Sequence, residues 1–322
     1  MKKLFKVGGI VSGVLVLIVT GFLVYSAVNT HKALNAPRLP DNYYELSGDV
    51  FNAGGSLEEK YSGRGACELE SLTVKSDNAS IKNIYLYYPA DLKTKGGQYP
   101  LIIVVNGSQS PAKTYLPFFE RLASWGFIVA GNDDPQPGTG ETASITLDYV
   151  LNESEIKENI DLANIGAVGY SQGGAGAINA VTKFANSGLY KALFTGSAAY
   201  PLLSVNMGWG YDPADIALDY FMTAATGSSD DTGVADVNAE YGGVSPLAAL
   251  VDIYNSMPDS VTKVLGRCVN AEHGDMQLRT DGYMTAWMLW ELQGNEEAGS
   301  AFFGEDAEIL RNANWQDVEI NK

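Results

Sequence analysis

The sequence predicts an α/β protein, a mostly parallel sheet with helices on both faces. Three observations carry that reading. From Glu68 onward, short apolar runs alternate with stretches of helical spacing, the pattern of repeated strand–helix crossovers. Leu101–Val105 is a continuous aliphatic run, as a strand buried on both faces requires. Ile165–Tyr170 leads through Ser171 into a stretch of small residues (Gly174, Ala175, Gly176, Ala177, Ala180), so a buried strand meets a helix at one tight turn.

Taken in order, the chain begins with Lys2, Lys3 and Lys6 ahead of an uncharged apolar run, Val7–Val28. That run is long enough to span a bilayer, and the lysines favour an inside amino end, so residues 1–28 are expected to form a membrane anchor or signal segment. Everything after it is then placed outside the cell membrane, or is secreted if the segment is cleaved. Residues 29–63, with Pro37, Pro40 and Gly54-Gly55, are expected to be a tether and loose lead-in to a domain over 64–322. Leu69–Val74 and Ile81–Tyr88 read as a hairpin at a sheet edge, joined by a polar turn. Tyr115–Trp125 has helical spacing and ends at Gly126, Phe127–Ala130 is the next strand, and Ile145–Leu151 lies in the next helix. The Ile165 strand and its helix follow, then strands at Ala192–Thr195, Tyr220–Ala225 and Thr262–Val269. Helices are expected around Pro246–Asn255 and Tyr283–Leu292, with one or two surface helices after Gly294.

Composition narrows the chemistry. A net charge of −17 over 322 residues argues against nucleic acid or anionic lipid as a ligand. Two cysteines, Cys67 and Cys268, are too few for a disulfide scaffold and are expected at opposite sheet edges. No metal-ligand cluster or dinucleotide fingerprint stands out, so neither metal nor organic cofactor is expected.

The stretch that carries chemistry is Gly169-Tyr170-Ser171-Gln172-Gly173, the G-x-S-x-G pattern in its strand–turn–helix setting. The two glycines are needed where strand and helix backbones nearly touch. A serine hydroxyl needs a base within reach, and the chain holds two histidines. His31 falls in the expected tether, whereas His273 directly follows the last expected strand, at the same end of the sheet as Ser171. A carboxylate must then fix the imidazole. Asp230 and Asp231 end the turn after the Tyr220 strand, and only one of them can face the imidazole; Asp230 has a Gly-x-x-Asp spacing from Gly227, Asp231 is the reserve, and the one that turns away is read as a solvated turn residue. The backbone N–H groups of Gln172 and Ser108 are the expected oxyanion donors. Tyr200, Met207 and Trp209 are candidates for an apolar substrate wall, although they would equally pack their own loop. No large helical lid is expected.

Gly-Tyr-Ser-Gln-Gly-Gly, the Asn106-Gly-Ser loop, the Gly227-x-x-Asp turn and His273-Gly-Asp together resemble the α/β-hydrolase superfamily. The likeness is to its bacterial branch of dienelactone-hydrolase-like, chlorophyllase-like and polyester-hydrolase (cutinase-like) enzymes. Leu122–Ala130 and Asp281–Trp287 are also similar. The resemblance implies the α/β-hydrolase fold, a Ser171–Asp230–His273 triad and hydrolysis of small or polymeric carboxylic esters. Two departures stand out: Asn106 where these enzymes often carry histidine, and Ser108 where aromatic-polyester hydrolases usually place an aromatic residue. An acyltransferase or peptidase with the same triad, or a binding module that has lost turnover, are the alternatives.

Overall fold

Six parallel strands at the centre of a nine-stranded sheet carry the residues singled out above to one end of the molecule. The structure is a computed structural model that describes Arg38 to Lys322 apart from Val50 and the side chain of Asp49. The apolar run Val7–Val28 and His31 lie outside the described residues. Among the described residues no helix is long and apolar enough to cross a membrane.

In chain order the strands are β1 (Leu69–Lys75), β2 (Asn83–Pro89), β3 (Tyr99–Val105), β4 (Ile128–Asn132), β5 (Ile160–Tyr170), β6 (Tyr190–Gly196), β7 (Asp219–Ala225), β8 (Lys263–Cys268) and β9 (Trp315–Ile320). Their order in the sheet is β1-β2-β4-β3-β5-β6-β7-β8-β9, with antiparallel pairing at β1/β2, β2/β4 and β8/β9. The central strands are aliphatic because both their faces are covered. Ile102 and Ile103 of β3 point to opposite cores and are both fully buried.

Among the described residues, the helices of seven residues or more are α1 (Ser56–Ser62), α2 (Leu116–Ala123), α3 (Glu141–Asn152), α4 (Gln172–Lys183), α5 (Leu247–Ser256) and α6 (Met276–Gln293). Leu147 and Val150 of α3, Ile178 of α4 and Leu250 of α5 fill the core on one face. Phe118 and Phe119 of α2 with Tyr283 and Trp287 of α6 fill the other.

Two expectations are corrected. Residues 39–63 are not a loose tether: Leu39–Lys322 forms one compact unit. Tyr43 and Tyr61 are buried, and Tyr43 Oη donates to Asp281 at 3.0 Å while accepting from Arg121 Nε at 2.8 Å. Arg121 and Asp281 form a fully enclosed ion pair at 3.2 Å, and Arg121 Nη1 also donates to the Tyr61 carbonyl and Thr285 Oγ1. Burial outweighs this partner for the acid and pushes the Asp281 carboxyl up to about 6. Glu58 of α1 accepts from Trp315 Nε1, Asn312 Nδ2 and the Gly54 amide at 2.7–2.8 Å. α1 lies so close to α6 that a Cβ at Gly282 would stand 2.3 Å from the Glu58 carbonyl.

The second correction is the tail. Short helical turns do stand at Glu296–Gly299 and Glu308–Leu310, but the segment is not a surface one: Ala298, Ala301, Phe302, Ile309 and Trp315 are buried, and β9 follows alongside β8. Cys67 and Cys268 are both free.

Candidate active site

Ser171 sits between β5 and α4 with φ 56° and ψ −126°, a backbone strained for a residue with a Cβ. Its position is enforced by contacts a few ångströms away. A Cβ at Gly169 would stand 2.2 Å from the Gly173 carbonyl oxygen, so strand and helix do nearly touch there. A Cβ at Gly173 would meet instead the carbonyl oxygens of Val105 and Asn106 at 2.3 and 2.1 Å. The second glycine thus makes room for the neighbouring strand β3, not for its own. The Ser171 amide donates to the Gly196 carbonyl at 2.9 Å, which ties the turn to β6 as well.

His273 comes from the loop after β8 and Asp230 from the loop after β7. His273 Nε2 lies 2.8 Å from Ser171 Oγ, and His273 Nδ1 lies 2.6 Å from Asp230 Oδ1. A carboxylate oxygen only accepts, so the proton is on Nδ1 and Nε2 is left to accept from the serine hydroxyl. Asp230 is fully buried; its Oδ2 accepts from the Ala225 amide at 2.8 Å and from the Ser197 hydroxyl.

The two loops are pinned to each other. The Gly227 amide donates to the Ala271 carbonyl at 2.8 Å, and the Asn270 amide to Thr226 Oγ1 at 2.9 Å. Ser229 Oγ accepts from the His273 amide at 3.1 Å and donates to the Glu272 carboxylate. The Ser229 hydroxyl, together with the Ser229 amide, which also donates to Glu272, holds that carboxyl below its ordinary range. Gly227 is glycine where a Cβ would collide with Glu272 at 2.3 Å.

Asp231 turns the other way and is not solvated. Its Oδ2 pairs with Arg267 Nη1 at 2.6 Å, and Arg267 also binds Asp317 of β9. Burial of Arg267 draws in both carboxylates, a partner invisible in the turn sequence.

Ser108 is exposed on the loop after β3, next to Gly107, whose Cβ position is 3.6 Å from the Tyr170 carbonyl beside the elbow, the sharp turn that carries Ser171. Gln172 opens α4 and its side-chain Nε2 donates to Gln136 Oε1 at 2.8 Å. Asn106 is a brace: its Nδ2 donates to the Asn132 and Asp134 carbonyls and its Oδ1 accepts from Tyr115 Oη. Tyr200 is buried with Val237 and Ala249. The Trp209 ring lies over Gly138, where a Cβ would be 2.5 Å from it, and Met207 is exposed. Ser197, Ser229 and the use of Glu272 as a clamp were not readable from the sequence, since each acts on a residue far along the chain. Among the described residues no group of three or more His, Cys, Asp or Glu could hold a metal ion.

A strained serine at the carboxyl end of a parallel sheet, facing loops from the two strands beyond β6, is the arrangement of an α/β-hydrolase. Residues 57–194 match the family described as PETase, PET hydrolase-like. The chain is 24% identical over 194 residues to a bis(hydroxyethyl) terephthalate hydrolase of Streptomyces coelicolor, covering 58% of this chain and 54% of that protein. It is 26% identical over 216 residues to cutinase est1 of Thermobifida alba, covering 63% of this chain and 62% of that protein. The chain therefore spans between half and two thirds of the length of these relatives. With its fold, these matches make the chain similar to the α/β-hydrolases, in the branch that holds the polyester hydrolases.

Proposed function

We propose that the chain is a serine hydrolase of carboxylic esters that works through an acyl-enzyme. The observation that carries this reading is the unbroken line of hydrogen bonds from Ser171 Oγ through His273 to the buried Asp230. In the proposed reaction the hydroxyl attacks the ester carbonyl as His273 Nε2 takes its proton. Asp230 holds the ring in that tautomer and stabilises the imidazolium. The tetrahedral oxyanion is held by the Gln172 amide at the head of α4 and by the Ser108 amide. His273 returns the proton to the leaving alcohol, and water then repeats the sequence on the acyl-enzyme. The relatives' names add the substrate class, small aromatic or polymeric esters, with Met207 as the exposed candidate among the proposed wall residues Tyr200, Met207 and Trp209. On the sequence of Val7–Val28, the activity is placed outside the cell membrane.

The test is turnover of p-nitrophenyl esters alongside labelling by a fluorophosphonate probe, for the parent and for Ser171→Ala. The alanine variant should lose label and at least about a thousandfold in turnover. Retained turnover would place the chemistry elsewhere. Faster cleavage of the matching amides would point to a peptidase, and labelling without turnover to a binding module.

A further inference from the structure

We propose that Ser197 is a positioning residue that sets the basicity of Asp230 and, through it, of His273; this rests on the proposed ester-hydrolase reading. Ser197 follows β6, is buried, and donates its hydroxyl to Asp230 Oδ2, the oxygen that His273 does not use. It does so from a left-handed backbone, φ 49°, where a residue with a Cβ is uncommon. Its amide is held by the Thr223 carbonyl at 2.8 Å, so the turn that aims the hydroxyl is fixed by β7, the strand that delivers Asp230. Glycine would fit this backbone without strain; what serine adds is a donor to the carboxylate.

A buried carboxylate is held as an anion by the donors around it. Asp230 has the Ala225 amide and the Ser197 hydroxyl on Oδ2, and His273 on Oδ1. Removing the hydroxyl leaves the same charge with one donor fewer, so the proton affinity of the Asp230–His273 pair rises. The imidazole then stays protonated to higher pH and is lost as a base there. The other charged or titratable groups around the pair are few. Glu272 and Asp275 lie on the loop of His273, Asp231 is paired with Arg267, and the Cys268 thiol of β8 is pushed up by burial. None of them donates to Asp230 Oδ2.

The experiment compares kcat/KM against pH for the parent, Ser197→Ala and Ser197→Gly, with ester substrate and with thermal midpoints recorded. The alanine variant keeps the strained backbone without the hydroxyl, and the glycine variant removes both. In both, the apparent pKa of the acid limb should rise by about half a unit or more. In both, kcat should fall about tenfold with KM little changed. A role in packing alone would shift the thermal midpoint and leave the acid limb in place. Superimposable pH profiles would overturn the proposal, as would a glycine variant that behaves like the parent while alanine does not, since strain would then be the cause. Should Ser197→Ala fail to fold, Ser197→Gly still reads the hydroxyl. Ser171→Ala, run in parallel, keeps the two readings apart. If Ser171 proves dispensable the hydrolase reading is lost. If Ser171 is essential and the acid limb does not move, only the role of Ser197 is lost.

Discussion

Two of the buried polar networks among the described residues are built to different ends. One runs from Asp230 through His273 to Ser171 and finishes at the surface; the other joins Arg121, Asp281, Tyr43 and Thr285 and closes on itself. The His273 side chain is 26% exposed, whereas that of Arg121 is 0% exposed. Both networks satisfy a buried charge with several partners. Only the first leaves an atom, Ser171 Oγ, available to a visiting molecule. The enclosed network instead fastens the lead-in to α2 and α6, so its charges serve position alone. A buried acid and base are thus not enough to mark a site; the line of hydrogen bonds must end in the open.

Substitutions should separate the two networks cleanly. The largest effect is expected at Asp230→Asn, which leaves the imidazole in the wrong tautomer. Steady-state kinetics should show a loss on the order of a thousandfold or more, with a thermal midpoint near that of the parent. Asp231→Asn should do the reverse, keeping most turnover while losing about 1 kcal/mol of stability with its Arg267 pair. A collapse of kcat in the Asp231 variant would reverse the assignment.

In the closed network, Arg121→Leu strands a buried carboxylate and should cost about 3 kcal/mol in urea unfolding, with turnover per folded molecule little changed. That cost should depend on pH. The Asp281 carboxyl already titrates at about 6 in the fold, above the ordinary aspartate value. Its contribution to stability is therefore full below the unfolded value and is lost as pH rises through the folded one. Without Arg121 the loss should be steeper; unfolding curves at pH 5 and pH 8 that showed the same deficit would contradict this.

A smaller effect than at Arg121, and of opposite sign, is expected at Glu291, whose carboxyl burial pushes up to about 8, helped by Asp219. Glu291→Gln should be near neutral at pH 5 and more stable than the parent by roughly 1–2 kcal/mol above pH 8, where the parent must ionise a buried carboxyl. A variant destabilised equally at both pH values would mean that the carboxyl is there for its hydrogen bonds and not against its charge.

The elbow was legible in the sequence because its constraints are local. Gly169, Ser171 and Gly173 lie within five residues, and the apolar run before them and the small residues after them announce strand and helix. That Asp230, and not Asp231, would stand beside the His273 ring was legible from the spacing to Gly227. The fastening of the lead-in was not. Tyr43 and Asp281 are 238 residues apart and Glu58 and Trp315 are 257 apart, so Pro37, Pro40 and Gly54-Gly55 looked like a linker where the partners could not be seen. β9 was missed for a related reason. Trp315–Ile320 is short and exposes charge on its outer edge, as an edge strand does, so little in it announces burial. Asp231 was misread because Arg267 reaches it from another strand.

The bond between Glu58 and Trp315 also bears on how the chain is made. A ribosome delivers α1 early, and the indole that completes its hydrogen bonds arrives 257 residues later. Until then β8, the strand that leads to His273, has an open edge, and the charges of β9 that guard against pairing with another chain are not yet present. Contacts of such separation close late and slow the final step of folding. In a chain cut back before β9, β8 should therefore present an unpaired edge and Glu58 should lack its indole partner.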